Sequence, residues 1–139
     1  MMRFFVPGHP APQGSKQAFV RGKRAVLVEV SKRVKPWREA VQDAAITHGC
    51  QPIAGPVSVK LTFLMPRPKA MPKSAPLTMC ARPDLDKLAR AVLDALTGVC
   101  FEDDSQVTRL LVVKRRAGTA EEPGVMIHVE QGEEIPNVA

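Results

Sequence analysis

The sequence predicts an α+β domain built on a mixed β-sheet with two principal helices, and three patterns carry that expectation. Val57, Val59, Leu61, Phe63 and Met65 alternate with Ser58, Lys60, Thr62 and Leu64, the period of two of a half-buried strand. Leu85, Leu88, Ala89, Val92 and Leu96 recur at spacings of three and four, which gives a helix one apolar face. Val125, Ile127 and Val129 alternate again, so strands and helices are interspersed along 139 residues, a length that suits one domain over 1–139.

Taken in order, Met2 to Val6 reads as a short strand ended by Pro7. The Pro/Gly loop PGHPAPQGSK follows and carries Lys16. Ala18 to Val20 and Ala25 to Val30, separated by RGKR, predict a β-hairpin with a positively charged tip. SKRVKPWREAVQDAAITHG predicts the first helix, with Pro36 in its first turn and Gly49 at its stop. Trp37, Val41, Ala44, Ala45 and His48 share its apolar face, and His48 is expected to pack or cap rather than bind a ligand.

After the 57–65 strand, Pro66 to Pro83 holds five prolines and reads as a long loop. Arg67, Lys69, Lys73 and Arg82 make it an electropositive arm. The second helix runs from Asp86 to Leu96, with Gly98 as its stop. VCFEDDSQ is an acidic connection, VTRLLVVKRR a buried strand, AGTAEEPG a turn, and 131–139 a polar, frayed tail.

Composition narrows the function. Lys and Arg number 20 against 14 Asp and Glu, a net charge of +6, and such a surface attracts polyanions, nucleic acid foremost. Three cysteines and three histidines, without C-x-x-C or H-E-x-x-H spacing, argue against a disulfide framework or a zinc site and for a reducing cytoplasm. No apolar run approaches the ~20 residues that cross a bilayer, so no membrane partner is expected.

The chemistry concentrates in RPDLDKLARAVLDAL and FEDDSQV. Asp84 and Asp86 are two residues apart at a helix entry, where extended backbone lets both carboxylates converge; inside a helix they would diverge by about 200°. Asp103 and Asp104 can join them only if the chain doubles back. Short carboxylates are the ligands of hard Mg²⁺, which assists phosphodiester hydrolysis by neutralising charge and ionising water. The same residues also suit a helix cap, a solvated Asp86–Arg90–Asp94 ladder and an ordinary turn. Both readings stand at this level.

Residues 82–114, RPDLDKLARAVLDALTGVCFEDDSQVTRLLVVK, resemble the signature of the RusA family of Holliday junction resolvases. That signature reads (K/R)-P-D-x-D-N-L-x-K-x-x-x-D-A-L-x-G, then D-D-x-Q-V and a lysine-bearing strand. APQGSK and KPW look like features of phage-borne members. The resemblance implies a RusA-like homodimer that nicks four-way DNA symmetrically in recombination and repair, with Mg²⁺ as cofactor and Mn²⁺ as a substitute.

It also implies metal-binding, catalytic roles for Asp84, Asp86 and Asp104, with Asp103 the less favoured neighbour. Arg90 stands where the family has lysine and keeps the charge that stabilises a transition state, but donates protons poorly. Lys87 replaces the usual asparagine. Lys16, Arg67, Lys69, Lys73, Arg82, Lys87 and the strand lysine Lys114 would contact DNA. Two other classes stay open: a branched-DNA-binding protein without turnover, and an interaction module with a purely structural acidic turn.

Overall fold

The protein is described by a computed structural model over residues 1–14 and 24–138, with side chains described outside 15–31. Its strands are β1 (Met2–Pro7), β2 (Val57–Met65), β3 (Val107–Arg116) and β4 (Gly124–Gln131), and its helices α1 (Arg24–Thr47) and α2 (Leu85–Leu96). The strands form one sheet in the order β1-β4-β2-β3. β2 and β3 are parallel, whereas β4 runs antiparallel to both β1 and β2. Parallel neighbours cannot be joined by a tight hairpin, so the chain from β2 to β3 crosses over through α2. The expected mixed sheet with two helices is the observed architecture.

The alternation in the sequence fixes which sheet face is covered. Val59, Leu61 and Phe63 of β2 lie opposite Val129, Ile127 and Val125 of β4, and the last two lie opposite Phe4 and Val6 of β1. All are buried, with Val34, Trp37, Val41 and Ala45 of α1 and Leu88, Val92 and Leu96 of α2 in the same core. Residues of the opposite sheet face, such as Lys60, Leu111 and Met126, are exposed. Such one-sided burial is usual where antiparallel pairing dominates. Gly124 starts β4 where a Cβ would lie 2.2 Å from the Val6 carbonyl oxygen, so only glycine permits this approach to β1.

Three expectations change. Ala25 to Val30 forms no hairpin strand but lies within α1; residues 18–23, and with them most of the RGKR tip and Lys16, lie outside the described residues. Pro36 is therefore inside the helix rather than in its first turn. The apolar stripe continues upstream through Val34, and packing of that stripe offsets the hydrogen bond that Pro36 cannot donate. Third, β3 is not a buried strand: it is the sheet edge, with Leu110, Leu111 and Val113 exposed. Leu111 and Val113 lie on the uncovered face, while Leu110, on the helix side in register with Val59, opens onto the groove beside α2.

Candidate active site

Helix α2 begins where Asp84 holds extended backbone (φ −68°, ψ 142°) at the N-cap position. Its carbonyl accepts the Leu88 N–H at 3.2 Å, but its side chain makes no capping hydrogen bond. The carboxylate faces solvent, with the Lys87 ammonium 3.6 Å away across a pair whose side chains are 44% and 54% exposed. At that exposure the pair adds little stability. Asp86, in the first turn, is also exposed. Neither carboxylate is used in holding the helix start together.

What holds it comes from elsewhere in the chain. Lys114 of β3 donates from Nζ to the Ala81 carbonyl at 2.8 Å and the Pro83 carbonyl at 2.9 Å. The Arg116 N–H donates to Leu77 at 2.7 Å, and Thr78 bridges antiparallel to Arg115. The 66–83 segment is thus strapped to the end of β3 rather than standing off as an arm. On the other side of α2 the Gln13 N–H reaches the Lys87 carbonyl at 3.0 Å, and its side chain links Asp94 to Arg38. Asp94 is occupied in that link, and among the described residues no Asp86–Arg90–Asp94 ladder of ion pairs forms.

The second acidic turn is closed by its own residues. Asp103 caps a single 3-10 turn, Asp104–Gln106, by accepting the Ser105 N–H at 3.0 Å. Hydrogen bonding from Ser105 holds the Asp103 carboxyl below its ordinary value. Gln106 reaches back to the Glu102 and Asp103 N–H groups at 2.8 and 3.0 Å. Its amide donates to the Ile53 and Gly55 carbonyls at 2.7 and 2.9 Å, which ties the turn to the entry of β2. Asp104 is left exposed. The D-x-x-Q spacing of a capping box was the available signal for Gln106 as a site-building residue.

Between the two turns lies an open groove of about 700 Å³. Asp86, Arg90, Leu93 and Asp104 border it, and Leu110 to Val112 of β3 form its floor. Because α2 starts beside Lys114 and the chain then leads into the start of β3, Asp86 and Asp104 stand toward opposite ends. The helix alone separates Asp86 from Leu93 by about 10 Å. Asp84 does not line the groove itself.

Among the cations expected to meet DNA, Lys69, Lys73 and Arg82 are exposed, and Lys87 is half-buried beside Asp84. Arg67 is engaged with the Ala117 and Pro72 carbonyls at 3.2 and 3.0 Å. Arg115 forms a bidentate pair with Glu121 at 2.7 and 2.9 Å. Hydrogen bonds from Arg115, supplemented by the Gly118 N–H, hold the Glu121 carboxyl down at about 2. Cys50 and Cys100 are buried, and burial pushes the Cys100 thiol far up, so it stays protonated.

The groove presents exposed carboxylates and a guanidinium beside basic loops, a surface whose charge suits a polyanionic partner. The sequence profile described as endodeoxyribonuclease RusA matches residues 7–130, and the chain belongs to the RusA endodeoxyribonuclease family. It is also 29% identical over 140 residues to the uncharacterized protein YqaN of Bacillus subtilis (strain 168), covering 94% of this chain and 96% of that one. Family membership makes the chain a DNA-cutting nuclease, and such nucleases generally depend on a divalent metal. Among the described residues no helix is long and apolar enough to cross a membrane.

The residues fit a hard divalent ion in kind, since all three candidate ligands are exposed carboxylates. They fit only in part by position. Among the described residues of one chain, no three His, Cys, Asp or Glu side chains are close enough to hold a metal together.

Proposed function

We propose that the chain is a structure-selective endodeoxyribonuclease that resolves four-way DNA junctions as a homodimer, using Mg²⁺ held by Asp84, Asp86 and Asp104. The observation that carries this reading is the Asp84–Asp86 turn: two exposed carboxylates, free of capping duty, at the mouth of a groove in a RusA-family chain. Mg²⁺ would supply positive charge against the charge developing on phosphorus and help ionise the attacking water. Arg90, on the groove wall, binds the phosphate oxygens through the planar fork of its guanidinium. Lys69, Lys73, Arg82 and Lys87, with Lys16, bind the flanking phosphates and give affinity a steep dependence on salt.

A second copy removes the positional difficulty. Among the described residues β3 is an edge strand open from Val107 to Val113, beyond which Leu77 and Thr78 take the edge. Its middle is apolar and exposed at Leu110, Leu111 and Val113, acidic residues precede it, and Lys114, Arg115 and Arg116 end it. Antiparallel pairing of two such strands sets the acidic start of each toward the basic end of the other, whereas parallel pairing would oppose like charges. With the twofold axis near Leu110, the acidic turn that precedes the partner's β3 comes beside the basic end of this strand, toward Lys114 and the Asp84 end of the groove. Each site then takes Asp84, Asp86 and Arg90 from one chain and Asp104 from the other.

Cleavage of a labelled four-way junction with and without Mg²⁺ tests the activity, comparing wild type with Asp86→Asn. The wild type is expected to make paired nicks only with the metal, and Asp86→Asn to bind without cutting. Equal cutting by both would sink the assignment. Mixing Asp86→Asn with Asp104→Asn tests the assembly: shared sites regain one intact site per mixed dimer and therefore nick one strand, whereas sites confined to one chain stay dead.

A further inference from the structure

We infer that Lys114 is a positioning residue that fixes the Asp84–Asp86 turn, rather than a cation that contacts DNA phosphate; this rests on the groove being the nuclease site. Lys114 lies on β3 in register with Phe63, whose side chain is fully buried on the covered face of the sheet. The lysine therefore projects toward the helix layer and the start of α2. An ammonium has three N–H donors, and here two are committed, to the carbonyls on either side of Arg82.

Those carbonyls belong to a segment without regular structure, immediately before a helix whose N-cap side chain caps nothing. One charged donor on a rigid strand thereby fixes two successive points of the chain just ahead of both carboxylates. Charge-assisted hydrogen bonds are about twice as strong as neutral ones, so Lys114 restrains the turn more firmly than a neutral donor in its place would. Met79, two residues upstream of Ala81, is buried in the core and anchors the same segment. Without the lysine, the spacing of Asp84 and Asp86 loses its definition while Lys69, Lys73, Arg82 and Lys87 still present their charges. A misplacement of about 1 Å in such a site costs on the order of 100-fold in rate.

The full-length variants Lys114→Met and Lys114→Arg separate the two roles. Positioning predicts that Lys114→Met lowers kcat by about 10–100-fold with little change in KM for the junction. The salt dependence of junction binding should be unchanged, and Lys114→Arg, which can still donate to both carbonyls, should restore most of kcat. Amide hydrogen exchange, which needs neither metal nor DNA, should quicken in residues 77–88 of Lys114→Met and stay as in wild type in 124–131. A phosphate contact predicts the reverse: weaker binding, a salt slope shallower by about 0.9, unchanged kcat and unchanged exchange. That pattern overturns the inference. If wild type itself cuts no junction, the nuclease reading fails, and the exchange experiment still decides whether Lys114 holds the turn.

Discussion

The two acidic turns that flank the groove are made of the same residue types and are stabilised in opposite ways. The Glu102–Gln106 turn is closed from within, with Asp103 capping, Gln106 returning the bond, and Asp104 alone free of these bonds. The Arg82–Asp86 turn has no such internal closure by its acids: Asp84 sits at the cap position without capping, and Lys114 holds the carbonyls before it. A carboxylate spent on its own backbone is stable and unavailable, whereas one held in place by a distant group remains free to bind a ligand. On the proposed reading, that contrast marks Asp103 as structural and Asp84 as available for a metal, a distinction that sequence spacing does not make.

The largest test of the contrast compares Asp84→Ala with Asp103→Ala. Asp84→Ala should lower junction cleavage at least about 100-fold with an unchanged melting temperature, because no capping bond is lost. Asp103→Ala should keep most of the cleavage and lower Tm by a few degrees, since a working N-cap is removed. Matching effects on stability would erase the distinction between the turns.

Gln106→Ala should have an intermediate effect. It leaves two N–H groups and two carbonyls without their partner, a loss of about 1–3 kcal/mol in thermal or denaturant unfolding. Cleavage should fall as well, because Asp104 rides on the turn that Gln106 ties to β2. Retained stability would show that the Ile53 and Gly55 contacts are dispensable.

The smallest expected effect sharpens the comparison from outside the site. Glu121 is held by Arg115 with its pKa at about 2, against 4.5 for the ordinary group. The folded state therefore binds fewer protons than the unfolded one across this window. The pair's contribution is complete above pH 4.5 and lost as pH falls toward 2. Because the pair is exposed, the contribution is small, and Glu121→Gln should only slightly flatten the acid limb of the stability profile, measured by unfolding between those pH values.

Much of the architecture was legible before the structure. The alternation from Val57 to Met65 gave β2 with its bounds, and the Leu88–Val92–Leu96 stripe gave α2 within one residue. The turn at Asp103 was also local, since an ordinary turn was one of the readings open there, but its capping role emerges only with the 3-10 turn that Asp103 closes. Two elements misled. The apolar residues from Ala25 to Val30 suit a strand as well as a helix by propensity, and α1 extends through them as part of a longer helix. Leu110 to Val113 looked buried because four consecutive apolar residues usually are, yet strand order puts them at an edge.

Local periodicity, helix stops and the charge balance are properties of neighbouring residues, so the order of residues alone determined most of the elements, the basic character and the candidate carboxylates. Strand order, the opposite placement of Asp86 and Asp104 along the groove, and the reach of Lys114 to Ala81 and Pro83 depend on contacts between segments more than 15 residues apart. Loop closure and packing decide such contacts, and neither leaves a periodic trace in the sequence.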